Sequence, residues 1–404
     1  MTAPSSKSVT HRALIVAALA DGDSDIARPL DSRDTRVTAA GLEALGVPVS
    51  MRDDHWIVHG RGGRIPGGGR LDLEESGTSL RFLTAVAALG DQASRLDGSP
   101  RLRERPLGEL ISAVRSLGAG VEGDRLPIDI GGTLFRGGET RIDGSQSSQF
   151  ASALMLVAPC LEPGLTILAG ASSVSLPYIE LTREVMRDFG VEVSEPQPHT
   201  WCVRAGHYTA RTFEVDGDHS SASYFLAAPL LVGGRVRMNG LDPGSAQADA
   251  TLQSFVEMLG ARVDRGEQWI EVQANGTVPP FDVSLAHAPD LVPTVAVLGL
   301  FAEGPSMIRD IAHLRLKESD RIEQLAINLR RLGCEVELDA DRLSIGSKQD
   351  APREVTIKTA GDHRMAMAFA LAGLRVPGVC VDDPDCVAKS NPRFWKDWES
   401  MLAD

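Results

Sequence analysis

The segment SKSVTHRALIVAALADG, residues 6–22, sets the pattern for the whole chain. It opens on small and polar residues, continues through a run of apolar ones and stops near a glycine. The pattern returns roughly every 71 residues, which indicates repeated supersecondary units. The later copies are GTSLRFLTAVAALG (77–90), SSQFASALMLVAPCLEPG (147–164), SSASYFLAAPLLVGG (220–234), PDLVPTVAVLGLFAEG (289–304) and GDHRMAMAFALAGLRVPG (361–378).

A second marker keeps the same spacing and supports the repeat. Segments with helical periodicity end in an apolar residue followed by glycine, at Leu45-Gly46, Leu117-Gly118, Phe189-Gly190, Leu259-Gly260 and Leu332-Gly333. A chain of 404 residues is also too long for one compact core. We therefore predict two lobes of three units each, residues 1–215 and 216–404, joined by a hinge near 214–218.

The sequence of each unit predicts the same order of helices and strands. The fully apolar helix comes first, and we expect it to be buried because it has no polar face. A short strand follows, as at 165–168 or 235–238, then an amphipathic helix, and then two strands such as 119–122 and 127–130. The amphipathic helices are predicted at 34–45, 106–117, 178–189, 248–259 and 318–332. The fold class is therefore α/β, with apolar helices inside and sheets outside.

Composition excludes several function classes. The net charge of −14 argues against a nucleic-acid or polybasic membrane role, and the apolar runs are too short and interrupted to span a bilayer. The N-terminal MTAPSSKS has no secretory pattern, and the five cysteines show no CxxC spacing, so we expect a cytoplasmic protein with reduced thiols. No cluster has metal-ligand spacing and no nucleotide-binding fingerprint occurs, so no metal or cofactor is expected.

Cations and hydroxyls gather at the starts of the helices, where free backbone N–H groups favour anions. Each group alone also fits a plain explanation, such as an N-cap, a solvated charge run or a surface ion pair. Together they predict a two-lobed enzyme for a small anion with more than one phosphate or carboxylate. The groups are Ser6-Lys7-Ser8 with Arg12, Gly77–Arg81, Arg101–Arg105, Ser147-Ser148-Gln149, Ser175–Tyr178, Asp290, Lys317–Arg321, and Asp362-His363-Arg364 with Lys389.

The motifs PSSKS with Arg12, SGTSLR, RERP, SSQF, SLPY, KESDR and DHRMAMA, in this order, resemble those of the enolpyruvyl transferases. The resemblance runs from Pro4 to the C-terminus and is strongest to the members that act on shikimate 3-phosphate. It implies a two-domain inside-out α/β barrel of six βαβαββ units. It also implies transfer of the enolpyruvyl group of phosphoenolpyruvate to the 5-hydroxyl of shikimate 3-phosphate, without a metal, in aromatic amino acid biosynthesis. We expect a monomer that binds small molecules only.

The resemblance also implies roles for individual residues in a cleft between the lobes. Lys317 would approach the reacting hydroxyl, while Asp290 and Glu318 would shuttle protons, and Lys7 would assist. Residues implied to hold shikimate 3-phosphate are Lys7, Ser8, Arg12, Ser147, Ser148, Ser175, Tyr178, Asp290, His313 and Lys317. Residues implied to surround phosphoenolpyruvate are Lys7, Gly77, Arg105, Gln149, Arg321, Arg364 and Lys389.

The chain departs from the family pattern at three places. Glu75 replaces the usual Asn before the Gly-Thr pair, so we expect it to turn away, pair with a cation or weaken binding. Ser5 replaces a Gly and restricts the backbone of its loop. Only Met1–Ala3 precede Pro4, so we expect no strand there and an open sheet edge.

Three alternatives remain at this point. The family member that uses UDP-N-acetylglucosamine carries a Cys five residues before the Arg-Pro pair, but that position is Pro100 here and residues 1–159 contain no Cys. A non-catalytic paralogue could bind a phosphorylated ligand as a sensor or scaffold. A related enzyme could use another cyclic alcohol as the acceptor.

Overall fold

The computed structural model describes residues 1–131, 134–348 and 354–403. These residues form two compact units. The N-terminal unit is Ser5–Val215, and the C-terminal unit combines Met1–Pro4 with Asp216–Asp404. Met1–Pro4, which the sequence places in the first lobe, therefore group with the second half of the chain.

The N-terminal unit contains seven α-helices and twelve strands among its described residues. The helices are α1 (Lys7–Leu19), α2 (Arg33–Ala44), α3 (Gly77–Ala88), α4 (Pro100–Glu104), α5 (Gly108–Ser116), α6 (Gln149–Val157) and α7 (Pro177–Asp188), and Ala158–Cys160 form a 3-10 turn. The strands are β1 (Asp21–Ala27), β2 (Val49–Arg52), β3 (His55–Arg61), β4 (Arg70–Asp72), β5 (Ser94–Asp97), β6 (Val121–Glu122), β7 (Ile128–Ile130), β8 (Gly138–Ile142), β9 (Gly164–Ala169), β10 (Val193–Gln197), β11 (Thr200–Arg204) and β12 (Thr212–Glu214).

The C-terminal unit contains six α-helices and nine strands among its described residues. The helices are α8 (His219–Val232), α9 (Leu252–Met258), α10 (Val292–Leu300), α11 (Arg321–Arg331), α12 (His363–Gly373) and α13 (Phe394–Ala403), with 3-10 helices at Ala248–Thr251, Ala312–Leu316 and Pro384–Lys389. The strands are β13 (Gly234–Asn239), β14 (Arg262–Gly266), β15 (Trp269–Ala274), β16 (Asp282–Ser284), β17 (Ser306–Arg309), β18 (Cys334–Leu338), β19 (Leu343–Lys348), β20 (Val355–Ile357) and β21 (Val379–Val381).

One strand order recurs in the sheets of both units. A strand pairs in parallel with the next one, which then pairs antiparallel with a hairpin, as in β4-β5-β7-β6, β10-β11-β9-β8 and β16-β17-β19-β18. In the sheet β12-β1-β3-β2 the parallel partner comes from the end of the N-terminal unit. A shared order in successive sheets is what repeated units require.

The apolar helices are buried, as the sequence predicts. In α1, every residue from Val9 to Leu19 is buried, and α10 is buried over its full length. Helices α3, α6, α8 and α12 show the same burial over most or all of their length. A helix without a polar face must be covered on all sides, so these helices form the cores and the α/β prediction is confirmed.

The amphipathic helices begin later than the sequence predicts in three units, by two residues in α5 and by more in α9 and α11. Helix α11 begins at Arg321 because the Asp320 side chain caps it, accepting a hydrogen bond from Glu323 N at 3.1 Å. Residues Ala248–Thr251 form a 3-10 helix before α9 begins at Leu252. A spacing argument cannot separate such a tight turn from the first turn of an α-helix.

The expectation of an open sheet edge at the N-terminus is wrong in part. Thr2 forms a parallel bridge with Asn239, and backbone bonds of 2.9 Å join Ala3 N to Asn239 O and Asn239 N to Met1 O. These residues form one bridge rather than a strand, but they lie beside β13, where the other sheets have their parallel partner. No helix in the described ranges is long and apolar enough to cross a bilayer.

Candidate active site

Lys7 lies in the first turn of α1, next to the capping residue Ser6. Its Nζ is 3.2 Å from Asp34 Oδ2, and only 12% of the Lys7 side chain is exposed. Asp34 is itself buried in the first turn of α2. Fixing the ammonium group in this way holds a positive charge at a helix N-terminus, where anions are favoured.

Arg12 is a buried cation whose hydrogen-bond partners among the described residues are all neutral. Nε donates to Thr182 Oγ1 at 2.8 Å, Nη1 to Ser8 O at 2.9 Å and Nη2 to Tyr178 O at 3.0 Å. No carboxylate lies within ion-pair distance of it in the part of the chain that the structure describes. Burial lowers the pKa of Arg12 to about 10, so the guanidinium stays charged at neutral pH. Such a group is suited to an external anion.

Gly77 begins α3 directly against two guanidinium groups. Arg81 donates to Gly77 O at 3.0 Å and to Pro106 O at 2.7 Å, which ties the helix start to the loop that follows Arg105. A Cβ at position 77 would lie 2.6 Å from Arg81 Nη1 and closer still to Arg105 Nη1. A side chain at this position would therefore have to push the two guanidinium groups aside.

Of the three arginines in 101–105, the structure places Arg105 inward. Arg101 pairs with Glu104 at 2.9 Å and Arg103 pairs with Asp97 at 2.8 Å, both at the surface. Arg105 is buried beside Gly77. The solvated charge run is therefore the right reading for Arg101 and Arg103 only.

Residues with hydroxyl groups lie at the starts of α6 and α7 in the N-terminal unit. Ser147 and Ser148 precede α6, and Gln149 donates from Nε2 to Thr78 Oγ1 at 3.0 Å, so the starts of α6 and α3 are joined. Ser175 has a φ of 57°, and its buried Oγ has no hydrogen-bond partner among the described residues. Strain and an unmet buried hydroxyl together are typical of a binding position. Tyr178 follows in the first turn of α7.

In the C-terminal unit, Arg321 is the centre of a carboxylate cluster. Nε is 2.7 Å from Asp362 Oδ2, Nη1 is 2.7 Å from Asp290 Oδ1, and Nη2 is 2.7 Å from Glu318 Oε2. Burial acts against the charge of Arg321, but these three carboxylates raise its pKa above the ordinary value. The surface-helix alternative for this segment is wrong, because the Arg321 side chain is only 1% exposed.

Arg364 joins the same cluster from the start of α12. Its Nη2 is 2.6 Å from Asp290 Oδ2, and Nη1 donates to the Tyr224 hydroxyl at 3.2 Å. Burial raises the pKa of Tyr224 to about 12, so its hydroxyl keeps its proton. Lys389 ends a 3-10 helix and is also buried.

Lys317 and Arg321 are four residues apart, a spacing that would put them on one face of a helix, but they do not share a helix. Lys317 is extended and ends the 3-10 helix, whereas Arg321 begins α11. His313 is buried nearby, and burial followed by the charge of Lys317 lowers its pKa to about 3. Its imidazole is therefore neutral, and Nε2 has no hydrogen-bond partner in the described ranges.

The departures Glu75 and Ser5 have simple structural outcomes. Glu75 is exposed and lines a cavity of about 610 Å³ that also has four arginines (Arg33, Arg70, Arg95 and Arg103) and three other carboxylates (Asp72, Glu74 and Asp97). Its charge thus lies among side chains of both signs. Ser5 is not among the described residues with positive φ, so its position does not require glycine.

Comparisons with known proteins show the family to which the chain belongs. A sequence profile for EPSP synthase (3-phosphoshikimate 1-carboxyvinyltransferase) matches residues 1–398. The protein of that name from Methanoculleus marisnigri is 42% identical over 402 residues, covering 98% of this chain and 94% of that protein. The one from Trichormus variabilis is 40% identical over 408 residues, covering 99% and 95%. The chain belongs to the EPSP synthase family.

Solved structures of that family and a relative share the fold. EPSP synthase from Acinetobacter baumannii aligns with a TM-score of 0.81 at 24% identity, covering 99% of this chain and 95% of that one. The enolpyruvyl transferase NikO from Streptomyces tendae aligns with a TM-score of 0.78 at 19% identity, covering 100% and 94%. The predicted family and fold class are therefore confirmed, and the three alternative functions are not favoured.

Sequence reasoning missed residues that contact the predicted site residues and hold them in place. Asp34 fixes Lys7, Asp362 fixes Arg321, and Thr182 orients Arg12. Asp249 is buried near Asp290, and burial with that charge raises its pKa to about 7. The sequence indicates only that a buried cation needs a polar or acidic partner. It does not indicate which residue that partner is. Among the described residues no group of His, Cys, Asp and Glu could hold a metal ion.

Proposed function

We propose that this protein transfers the enolpyruvyl group of phosphoenolpyruvate to the 5-hydroxyl of shikimate 3-phosphate and releases phosphate. Its membership of the EPSP synthase family and the shared name of relatives at about 40% identity support this reaction. We further propose that residues of both units serve one site, and that the protein acts as a monomer in the cytoplasm on small molecules.

The main support for binding of shikimate 3-phosphate is the environment of Arg12. Its guanidinium is buried, charged and held only by neutral groups, so a phosphate would supply the missing counter-charge. Ser8, Ser147, Ser148, Ser175 and Tyr178 add hydroxyl or backbone donors in the same unit, and Lys7 adds a second cation. His313, as a neutral imidazole, suits a hydroxyl group better than a charge.

Phosphoenolpyruvate would be held by cations that the fold has already placed. Arg105 lies against Gly77 at the start of α3, and Gln149 is fixed by Thr78. Arg321, Arg364 and Lys389 are buried in the C-terminal unit. Preplaced cations stabilise charge on a departing phosphate without reorganising during the reaction.

The chemistry needs three proton transfers, two of which occur at the same carbon in opposite directions. The methylene carbon of phosphoenolpyruvate gains a proton while the substrate hydroxyl loses one and forms a C–O bond, giving a tetrahedral adduct. The adduct then breaks its C–O bond to phosphate, and the new methyl group gives up a proton to restore the double bond. We assign these transfers to Asp290 and Glu318, with Lys317 and Lys7 close to the hydroxyl and the phosphate.

A coupled phosphate-release assay with both substrates tests the proposal directly. We expect phosphate release that requires shikimate 3-phosphate and phosphoenolpyruvate together. The matched control replaces shikimate 3-phosphate with UDP-N-acetylglucosamine, and we expect no release. Release with the control acceptor, or with neither acceptor, would assign the chain to a different reaction.

A further inference from the structure

Both oxygens of the Asp290 carboxylate are occupied by two different guanidinium groups. Oδ1 is 2.7 Å from Arg321 Nη1, and Oδ2 is 2.6 Å from Arg364 Nη2. One carboxylate therefore bridges the two arginines proposed to hold phosphoenolpyruvate. A ligand carboxylate or phosphate has two oxygens with which it can make the same bridge.

The ion pairs of Arg321 and Arg364 bring three carboxylates to two guanidinium groups. Arg321 and Arg364 contribute two positive charges, while Asp290, Glu318 and Asp362 contribute three negative ones. An approaching anion therefore meets guanidinium groups that are already neutralised, and its attraction to them is weakened. Removing one carboxylate from the arginines restores that attraction.

Asp290 is the carboxylate that can leave most easily. Its side chain is 20% exposed, compared with 12% for Glu318 and 0% for Asp362. Asp362 also accepts a hydrogen bond from Arg364 N as the cap of α12, which fixes it in place. Asp290 lies just before α10, whose preceding residue is Leu291. Its carboxylate can therefore turn toward solvent without disturbing a helix cap.

We propose that Asp290 competes with phosphoenolpyruvate for Arg321 and Arg364, so that binding of this anion exchanges one carboxylate for another. The inference rests on the proposed function, because it takes these two arginines as ligands of phosphoenolpyruvate. The exchange has a chemical consequence. A carboxylate held by two guanidiniums is a poor proton acceptor, and its release makes it a better one. Anion binding thereby prepares Asp290 to take the proton of the hydroxyl.

Affinity for phosphoenolpyruvate alone tests the exchange, because it needs no turnover. In Asp290→Asn, the amide nitrogen cannot accept a hydrogen bond and the charge is gone, so one guanidinium is released. We expect isothermal titration calorimetry on the full chain to give a dissociation constant lower by about tenfold or more. The matched control is Asp282→Asn, which removes an exposed carboxylate 2.6 Å from Arg309 in the same unit and should leave the constant unchanged. An unchanged or higher constant in Asp290→Asn overturns the inference.

Two further measurements cover a variant that fails to fold. In Asp290→Ala, formate should fill the place of the carboxylate and compete with phosphoenolpyruvate, whereas formate should not compete in the parent protein. A crystal structure of the parent with phosphoenolpyruvate should show Asp290 turned away from at least one arginine. Retention of both Asp290 bonds beside bound phosphoenolpyruvate would refute the exchange. The phosphate-release assay on the parent separately decides the proposed function.

Discussion

Arg12 and Arg321 are both buried guanidinium groups, but their surroundings differ. Arg12 is held by hydroxyl and carbonyl oxygens, whereas Arg321 is surrounded by three carboxylates. The first arrangement leaves a charge to be met by a ligand, and the second already meets it internally. An incoming anion would therefore meet an uncompensated positive charge at Arg12 but a compensated one at Arg321.

Gly77→Ala should weaken phosphoenolpyruvate binding. The new methyl group would lie 2.6 Å from Arg81 Nη1 and would displace the guanidiniums that α3 places there. Overpacking of this kind costs about 1–3 kcal/mol, so we expect the KM for phosphoenolpyruvate to rise about tenfold or more. Gly108→Ala is the control, since nothing lies within 4 Å of a Cβ at that helix position. Equal kinetics for the two variants would remove Gly77 from the site.

Glu318→Gln should lower kcat by about 10²–10⁴. The loss of one negative charge beside Arg321 should also lower the KM for phosphoenolpyruvate. The amide oxygen can still accept a hydrogen bond from Arg321, so the cluster keeps its geometry but loses a proton carrier. Steady-state kinetics measure both constants. Glu323→Gln, an exposed change in the first turn of α11, is the control. A near-normal kcat for Glu318→Gln would exclude Glu318 from proton transfer.

At the scale of elements, the sequence predicted the repeated helices well and their starting residues less well. Periodicity and terminal glycines are local features, so α1, α3 and α6 could be found without a structure. The start of α11 depends on the Asp320 side chain reaching Glu323 N, and the sequence also allowed a start at Glu318. Arg12 also has partners on α6 and α7, which are far from it in sequence. Local sequence patterns therefore cannot predict these contacts.

Removing the cap of α11 should affect both stability and binding. Asp320→Ala removes the bond to Glu323 N and should reduce the free energy of unfolding by about 1 kcal/mol, measured by urea titration. Because Arg321 is the first residue of α11, fraying should also raise the KM for phosphoenolpyruvate. Asp320→Asn keeps a capping oxygen but loses the ion pair with Arg315, so it should retain most of the stability. A loss as large in Asn as in Ala would assign the effect to the ion pair.

At the scale of the whole molecule, Asp249 should make stability depend on pH. Burial raises its pKa to about 7 from its ordinary value of 3.8, so at neutral pH the folded state holds a proton that the unfolded state releases. Its contribution is therefore fully present below about pH 4 and is lost as pH rises through about 7. Urea unfolding from pH 4 to 8 should show a loss in the parent that is smaller in Asp249→Asn. Parallel pH profiles for the two proteins would contradict a buried, protonated Asp249.

The two units also differ in how they use the chain. Ser5–Val215 is one continuous stretch, whereas the other unit needs Met1–Pro4 as well as Asp216–Asp404. Composition and periodicity predicted two lobes of three repeats but assigned these first residues to the wrong one. The pairing of Met1–Pro4 with the second unit depends on backbone hydrogen bonds to Asn239. Every residue type except proline can make such bonds, so the pattern of side chains does not predict them.

The bridge between Thr2 and Asn239 has a consequence for biosynthesis. The ribosome makes Met1–Pro4 before the Ser5–Val215 unit, but their partner β13 emerges only after that whole unit has been translated. That continuous unit can fold while translation proceeds, since domains generally fold as units in order of synthesis. Met1–Pro4 stay without their partner throughout that interval. Their pairing with Asn239 is therefore a late event in the maturation of the nascent chain.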